Sequence, residues 1–304
     1  MTPDLSVRIG GLRLKNPVVS ASGTFGYGLE FAPFYDISRL GAVVVKGLSL
    51  APTAGNPPGR IVETAAGMLN AIGLQNIGVE RFVADVVPRL EDAGAAYVAN
   101  IYGRTAEEYE AVAERLSDVA SLAAIEVNAS CPNVKEGGMA FGATAEGIAG
   151  LTARVRKRTA KPLWVKLSPN VSDIGAIAAA AESAGADAVS LINTLVGMAV
   201  DHRTRRPRLA NVTGGLSGPA IKPVALRMVW EAARRVKIPV IGIGGIQSAA
   251  DALEFLLVGA AAVQVGTANL RNPRACVEIV DGIGAFLAEQ RIATVAEYRG
   301  GLRI

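Results

Sequence analysis

The sequence predicts an α/β fold, a (β/α)8 TIM barrel, and three observations carry the prediction. Eight short runs rich in Val and Ile alternate with stretches of helical periodicity. The runs are apolar on both faces, as parallel strands covered by helices must be. No composition break interrupts the 304 residues, a length normal for one barrel. One domain spanning 1–304 is expected, with an open, doubly wound sheet as the alternative arrangement.

Taken in order, Val7-Arg-Ile9, Gly10-Gly11 and Leu12-Arg-Leu14 read as an N-terminal β-hairpin with a two-residue turn. The barrel strands are expected at 17–22, 42–47, 96–101, 123–128, 163–167, 188–193, 239–244 and 261–266. Between them, Thr105 and Glu108 form a capping box ahead of Tyr109, Val112, Ala113 and Leu116 at helical spacing. Phe82, Val83, Val86, Val87 and Leu90 make a second stripe, with a kink expected at Pro88. Pro219 suits a first helical turn leading into a helix over 224–236. Three connections, 49–79, 131–144 and 195–218, are longer than a barrel needs. All follow strand C-termini, so they are expected as long loops over the C-terminal face, where barrels keep their sites.

Composition narrows the chemistry. Half of the residues are hydrophobic and 19% are charged, enough for a large core. The net charge of +4 suits anionic small molecules and gives no strong footprint for nucleic acid. Two cysteines, no signal-like start and no long apolar run lead to the expectation of a cytoplasmic protein without a membrane partner. Two cysteines cannot ligate an iron–sulfur cluster in this chain alone. The one histidine, His202, lies in an Arg-rich stretch, which removes His-based metal sites and His-assisted triads; no metal is expected.

The strand ends deliver the functional groups. In order they offer Ser22, Lys46-Gly47, Asn100, Asn128 with Cys131 just beyond, Lys166 and Asn193-Thr194. Lys46 and Lys166 stand inside apolar runs, and a buried ammonium calls for an anion or a strong acceptor. Gly244-Gly245 and Gly266-Thr267, after the last two strands, suit a phosphate held by free N–H groups beside a helix N-terminus. Cys131 is the best-placed base, with cationic groups nearby to favour its thiolate.

Lys46-Gly47, Asn70-Ala-Ile-Gly-Leu-Gln-Asn76, Asn128-Ala-Ser-Cys-Pro-Asn133 and Thr213-Gly-Gly-Leu-Ser-Gly-Pro219 together resemble the motifs of the dihydroorotate dehydrogenase family. The likeness extends over essentially the whole chain and is nearest to the class 1B, NAD-linked catalytic subunit. It implies one FMN per chain and oxidation of (S)-dihydroorotate to orotate in de novo pyrimidine synthesis. Cys131 matches the family's base, which removes the C5 proton while a hydride leaves C6 for flavin N5; the quinone-linked class has serine there.

By the same resemblance FMN would contact Ser22, Lys46, Gly47, Asn100, Asn128, Lys166, Ile192 and Gly218. Its phosphate would rest on Gly244, Gly245, Gly266 and Thr267. Substrate would meet Lys46, Asn70, Ala71, Ile72, Gly73, Leu74, Asn128, Asn193 and Thr194. Lys166 is suited to stabilising charge on the reduced flavin, and Gly137-Gly138 to a loop that opens and closes over substrate. The segments 134–139 and 197–219 look more like class 1B, which implies a homodimer core with two electron-transfer subunits. Each of those would carry FAD and a [2Fe–2S] cluster, with NAD+ as final acceptor in a heterotetramer. A class 1A homodimer using fumarate, another FMN-barrel pyrimidine oxidoreductase, and a scaffold binding a phosphorylated ligand are the alternatives.

Overall fold

Gly10 and Gly11, with φ of +54° and +82°, turn the chain between β1 (Val7–Ile9) and β2 (Leu12–Leu14). Both central residues of such a turn need positive φ, which glycine adopts without a Cβ clash. Ile9 and Leu14 are buried and share a cluster with Val19, Ala42, Val98, Ala124 and Trp164, so the hairpin packs against the start of the barrel. The computed structural model describes residues 2–91, 93–129 and 141–304.

The strands follow as β3 (Val18–Ser20), β4 (Ala42–Val44), β5 (Ile61–Thr64), β6 (Gly67–Asn70), β7 (Tyr97–Ile101) and β8 (Leu122–Asn128). Next come β9 (Leu163–Lys166), β10 (Ala188–Leu191), β11 (Leu195–Met198), β12 (Val200–Asp201), β13 (Arg206–Pro207), β14 (Thr213–Ser217), β15 (Val240–Ile243) and β16 (Ala262–Val265). Eight of them, β3, β4, β7, β8, β9, β10, β15 and β16, form a closed parallel barrel at the positions expected from the apolar runs. Pairing of β16 with β3, Val265 opposite Ser20, closes the ring and rules out the open sheet.

The outer helices include α1 (Ala106–Ser117), α2 (Ala145–Arg156), α3 (Ile174–Ser183), α4 (Lys222–Arg235), α5 (Ala249–Leu257) and α6 (Ala275–Glu289). In α1, Thr105 Oγ1 accepts from the Glu108 N–H at 3.3 Å, as a cap should. The reciprocal bond differs from the expected box: Glu108 accepts from the N–H of Arg104, one residue before the cap. Pro219 opens a short turn, Pro219–Ile221, and α4 begins at Lys222, two residues earlier than the sequence reading placed it. Pro88 does not break its stripe. A π turn over Phe82–Val86 widens the helix just ahead of it, because proline brings no N–H for the preceding turn.

Two of the three long connections are not plain loops. Residues from 49–79 and 195–218 together form a four-stranded antiparallel sheet in the order β11-β14-β6-β5. Gly215 pairs with Asn70 and Leu216 with Leu69, so one connection is laid on the other. In the third connection, residues 130–140 lie outside the described residues. The Arg-rich stretch is an exposed turn between β12 and β13, with Asp201 Oδ1 accepting the N–H groups of Arg203 and Thr204.

Helix α5 carries the complete capping box. Ser248 Oγ accepts from the Asp251 N–H at 3.2 Å, and Asp251 Oδ2 accepts from the Ser248 N–H at 3.0 Å. Lys222 Nζ reaches Asp251 Oδ1 at 2.6 Å and Glu254 Oε2 at 2.8 Å. Burial opposes ionisation of Asp251, but the Lys222 ammonium, the Gln247 N–H and the Ser248 hydroxyl outweigh it and hold the carboxyl below its usual value. The depressed value means a stabilisation present above the unfolded pKa of about 3.9 and lost as pH falls through the folded one. Asp251→Asn is therefore expected to cost about 1–2 kcal/mol near neutral pH. Denaturant melts of both proteins should converge as the buffer becomes acidic.

Candidate functional site

A cavity of about 880 Å³ opens at the C-terminal ends of the barrel strands and extends beneath the β5–β6 turn. That volume lies within the range of about 300–1,000 Å³ usual for ligand pockets. Its lining joins residues more than 200 positions apart, from Ser22 to Arg271, which only closure of the barrel brings together.

Each strand end positions its group by alternation. Asn128 is the last residue of β8 and Lys166 the last of β9, and the two are directly paired in register. Both line the cavity, and both are buried, to 7% and 6% relative exposure. Tyr109 of α1 fixes the end of β8 by donating its hydroxyl to the Asn128 carbonyl at 2.8 Å. The Lys166 ammonium has no hydrogen-bond or ion-pair partner among the described residues. Asn193 Nδ2 donates to Asn128 Oδ1 at 3.4 Å, while Asn193 Oδ1 accepts the N–H of Thr194 at 2.9 Å.

The stretch 70–76 forms another wall and is held from behind. Asn56 N–H donates to the Ile72 carbonyl at 3.0 Å, and Asn56 Nδ2 to that of Ala71 at 2.9 Å. Leu74 sits at φ +57°, a left-handed conformation costly for a branched side chain. Its carbonyl is held by Asn76 Nδ2 at 2.9 Å and the Tyr102 hydroxyl at 3.1 Å. Asn70 Nδ2 donates to the Gly215 carbonyl at 3.4 Å, tying the wall to β14.

The opposite end is a glycine cradle. Gly218, Gly244 and Gly245 have φ of +91°, +126° and +78°. A Cβ on Gly245 would lie 2.7 Å from Lys222 Cβ, and one on Gly218 would lie 2.7 Å from the Gly67 Cα. The N–H groups of Gly244, Gly245, Gly266 and Thr267 serve no other protein group among the described residues. Thr267 Oγ1 meets Ser217 Oγ at 2.7 Å. The anticipated helix N-terminus contributes less than the sequence suggested. The N–H groups of Gln247 and Ser248 ahead of α5 are already taken by Asp251, which leaves the glycine N–H groups to meet an anion.

Of the site residues named from the sequence, Ser22, Lys46, Gly47, Asn70, Ile72, Gly73, Leu74, Asn128, Lys166, Ile192, Asn193, Thr194, Gly218, Gly244, Gly245, Gly266 and Thr267 all line this one cavity. Two do not. Ala71 turns away into a small cluster with Val62, Leu69 and Leu209. Asn100 is fully buried below the floor, where its Nδ2 donates to Glu126 and its Oδ1 lies against Gly47. Cys131 lies outside the described residues. Cys276 is buried in α6, where burial pushes the thiol up to about 12, so it stays neutral and serves as packing.

Arg60, Gln75 and Glu126 are functional-site neighbours that the sequence pattern does not single out. Arg60 Nη1 bonds Gln75 Oε1 at 2.9 Å at the rim of the cavity. Glu126 was hidden inside an apolar run, and one charge among five apolar neighbours is the signal that could have exposed it.

A family model described as dihydroorotate dehydrogenase matches residues 4–287. The chain is 59% identical over 302 residues to "Dihydroorotate dehydrogenase B (NAD(+)), catalytic subunit" of Trichlorobacter lovleyi, covering 99% of each chain. It is 57% identical over 302 residues to the protein of the same name from Geobacter sulfurreducens, again covering 99% of each. Among solved structures, the ferulenol complex of DHODH from Eimeria tenella superposes with a TM-score of 0.81 at 23% identity. It covers 98% of this chain and 88% of that one, and shows the shared fold.

Proposed function

Because the chain belongs to the dihydroorotate dehydrogenase family, we propose that it is the FMN-dependent subunit that oxidises (S)-dihydroorotate to orotate in pyrimidine synthesis. The observation that carries the reading is the buried Lys166 ammonium, without a protein partner among the described residues, between a ring of amides and a glycine cradle. A cation held that way needs an anionic or strongly accepting ligand.

The residues present fit FMN. The free N–H groups of Gly244, Gly245, Gly266 and Thr267 suit its phosphate, and only glycine fits at 245, where a Cβ would run into Lys222. Ser22, Lys46, Gly47, Asn128, Lys166, Ile192 and Gly218 would hold the rest. When bound, FMN supplies the acceptor for two electrons and for the hydrogen at C6 of the substrate. Lys166 offers fixed positive charge where negative charge would develop.

Substrate would lie against Lys46, the 70–74 wall, Asn128, Asn193 and Thr194. Side-chain amides both donate and accept, which matches the alternating C=O and N–H edge of a dihydropyrimidine. The strain at Leu74 and the bonds behind it keep that wall in one shape. Cys131, three residues past Asn128, would take the proton from C5, the general base of the reaction. The β11-β14-β6-β5 sheet would help to close the site to water.

Electrons would leave to a partner subunit carrying FAD and a [2Fe–2S] cluster, and from it to NAD+; the relatives' names, which specify NAD(+) and a catalytic subunit, support the acceptor and the existence of a partner. The test is an assay of dihydroorotate oxidation with NAD+, fumarate or an artificial acceptor, with and without that partner. NAD+ reduction that requires the partner is expected. Fumarate turnover by the chain alone would overturn this part of the reading.

A further inference from the structure

Glu126 and Lys166 are the only charged residues that are buried among the described ones, and neither has an ion-pair partner there. They stand on neighbouring strands of the barrel interior. Glu126 is opposite Trp164, and Asn128, two residues on, is opposite Lys166. Alternation puts Glu126 and Asn128 on the same face of β8, so Glu126 lies one side-chain layer below the cavity floor. Its relative exposure is 0%.

Three strands supply its contacts. Asn100 Nδ2 of β7 donates to Oε1 at 2.7 Å. Ser190 Oγ of β10 donates to Oε2 at 2.8 Å and Gln264 Nε2 of β16 to the same oxygen at 2.6 Å. Both amides turn their NH2 groups to Glu126, and their oxygens, Asn100 Oδ1 and Gln264 Oε1, have no partner. All three contacts therefore treat Glu126 as an acceptor, the role of a carboxylate. Packing alone does not call for such a cluster, since apolar side chains of like volume would fill the barrel without buried unsatisfied oxygens.

We propose that Glu126 is a positioning residue that sets the electrostatic field of the cofactor site. Its buried negative charge opposes that of Lys166 from one layer below and holds the bound flavin at a lower reduction potential than Lys166 alone would give. Charges in a water-excluded interior act over such distances because little screens them. Glu126 touches neither substrate nor cofactor. The inference rests on the FMN reading above.

The experiment is an anaerobic spectroelectrochemical titration of the FMN-loaded chain against reference dyes, with apo-protein FMN affinity measured alongside. Glu126→Gln keeps the shape and removes the charge. It should shift the two-electron equilibrium toward reduced flavin at least tenfold, about 30 mV, while Glu126→Asp stays near the parent. Ser190→Ala keeps the charge but removes one donor that offsets it, so its potential should move the other way. An unchanged or lowered potential in FMN-loaded Glu126→Gln overturns the proposal and leaves the FMN reading standing. If that variant does not fold, an unchanged or raised potential in Ser190→Ala overturns it. A parent chain that takes up no FMN overturns both.

Discussion

Replacing Cys131 with alanine is expected to leave FMN bound and to lower dihydroorotate turnover by about 10²–10⁴-fold, the usual worth of a positioned general base. The chain has one histidine, His202, in an exposed turn on the Arg-rich stretch. Its other cysteine, Cys276, is buried in α6 with its thiol pushed up to about 12, so it cannot deputise. Glu126 is enclosed below the floor by three donors. Cys131 follows Asn128, whose side chain lines the cavity, by three residues. Rapid-reaction reduction of the bound flavin measures the proton step apart from later electron transfer. Near-normal reduction in Cys131→Ala would remove the assignment.

Lys166→Met is expected to change sign between the two forms of the protein. In the apo-protein the substitution removes a buried ammonium that has no partner among the described residues. Thermal or denaturant melts should show stabilisation by about 1–3 kcal/mol, the desolvation cost of an unsatisfied buried group. In the FMN-loaded protein the same change removes fixed charge from a dry site. Turnover should fall by about 10²–10³-fold, as when one preorganised electrostatic donor is lost. A merely structural lysine predicts loss of stability in both forms and no selective loss with FMN.

The barrel was legible because its strands are buried on both faces. That constraint writes eight runs of Val, Ile and Ala into the chain, and the β1–β2 hairpin shows itself by its Gly10-Gly11 turn. Most of the cavity lining was legible for a related reason: polar residues such as Asn128, Lys166 and Asn193 stand where apolar runs end. The four-stranded sheet was not. Its strands are short, three of the four contain glycine, and β6 pairs with β14 across about 145 residues, a match that no local pattern encodes. Asn100 shows the same limit from another side. Its place on the strand suggests a ligand contact, but gives no sign that Glu126, 26 residues later, holds its Nδ2. Periodicity says which face a side chain shares; it does not say which partner holds it there.

Binding of FMN in this cavity and oxidation of dihydroorotate there can be read in a single titration. The FMN-loaded chain is titrated anaerobically with (S)-dihydroorotate while the flavin absorbance is followed. Stoichiometric bleaching with release of one orotate per flavin is predicted. A flavin that binds in the cavity but stays oxidised in excess dihydroorotate would show that the chain has another substrate.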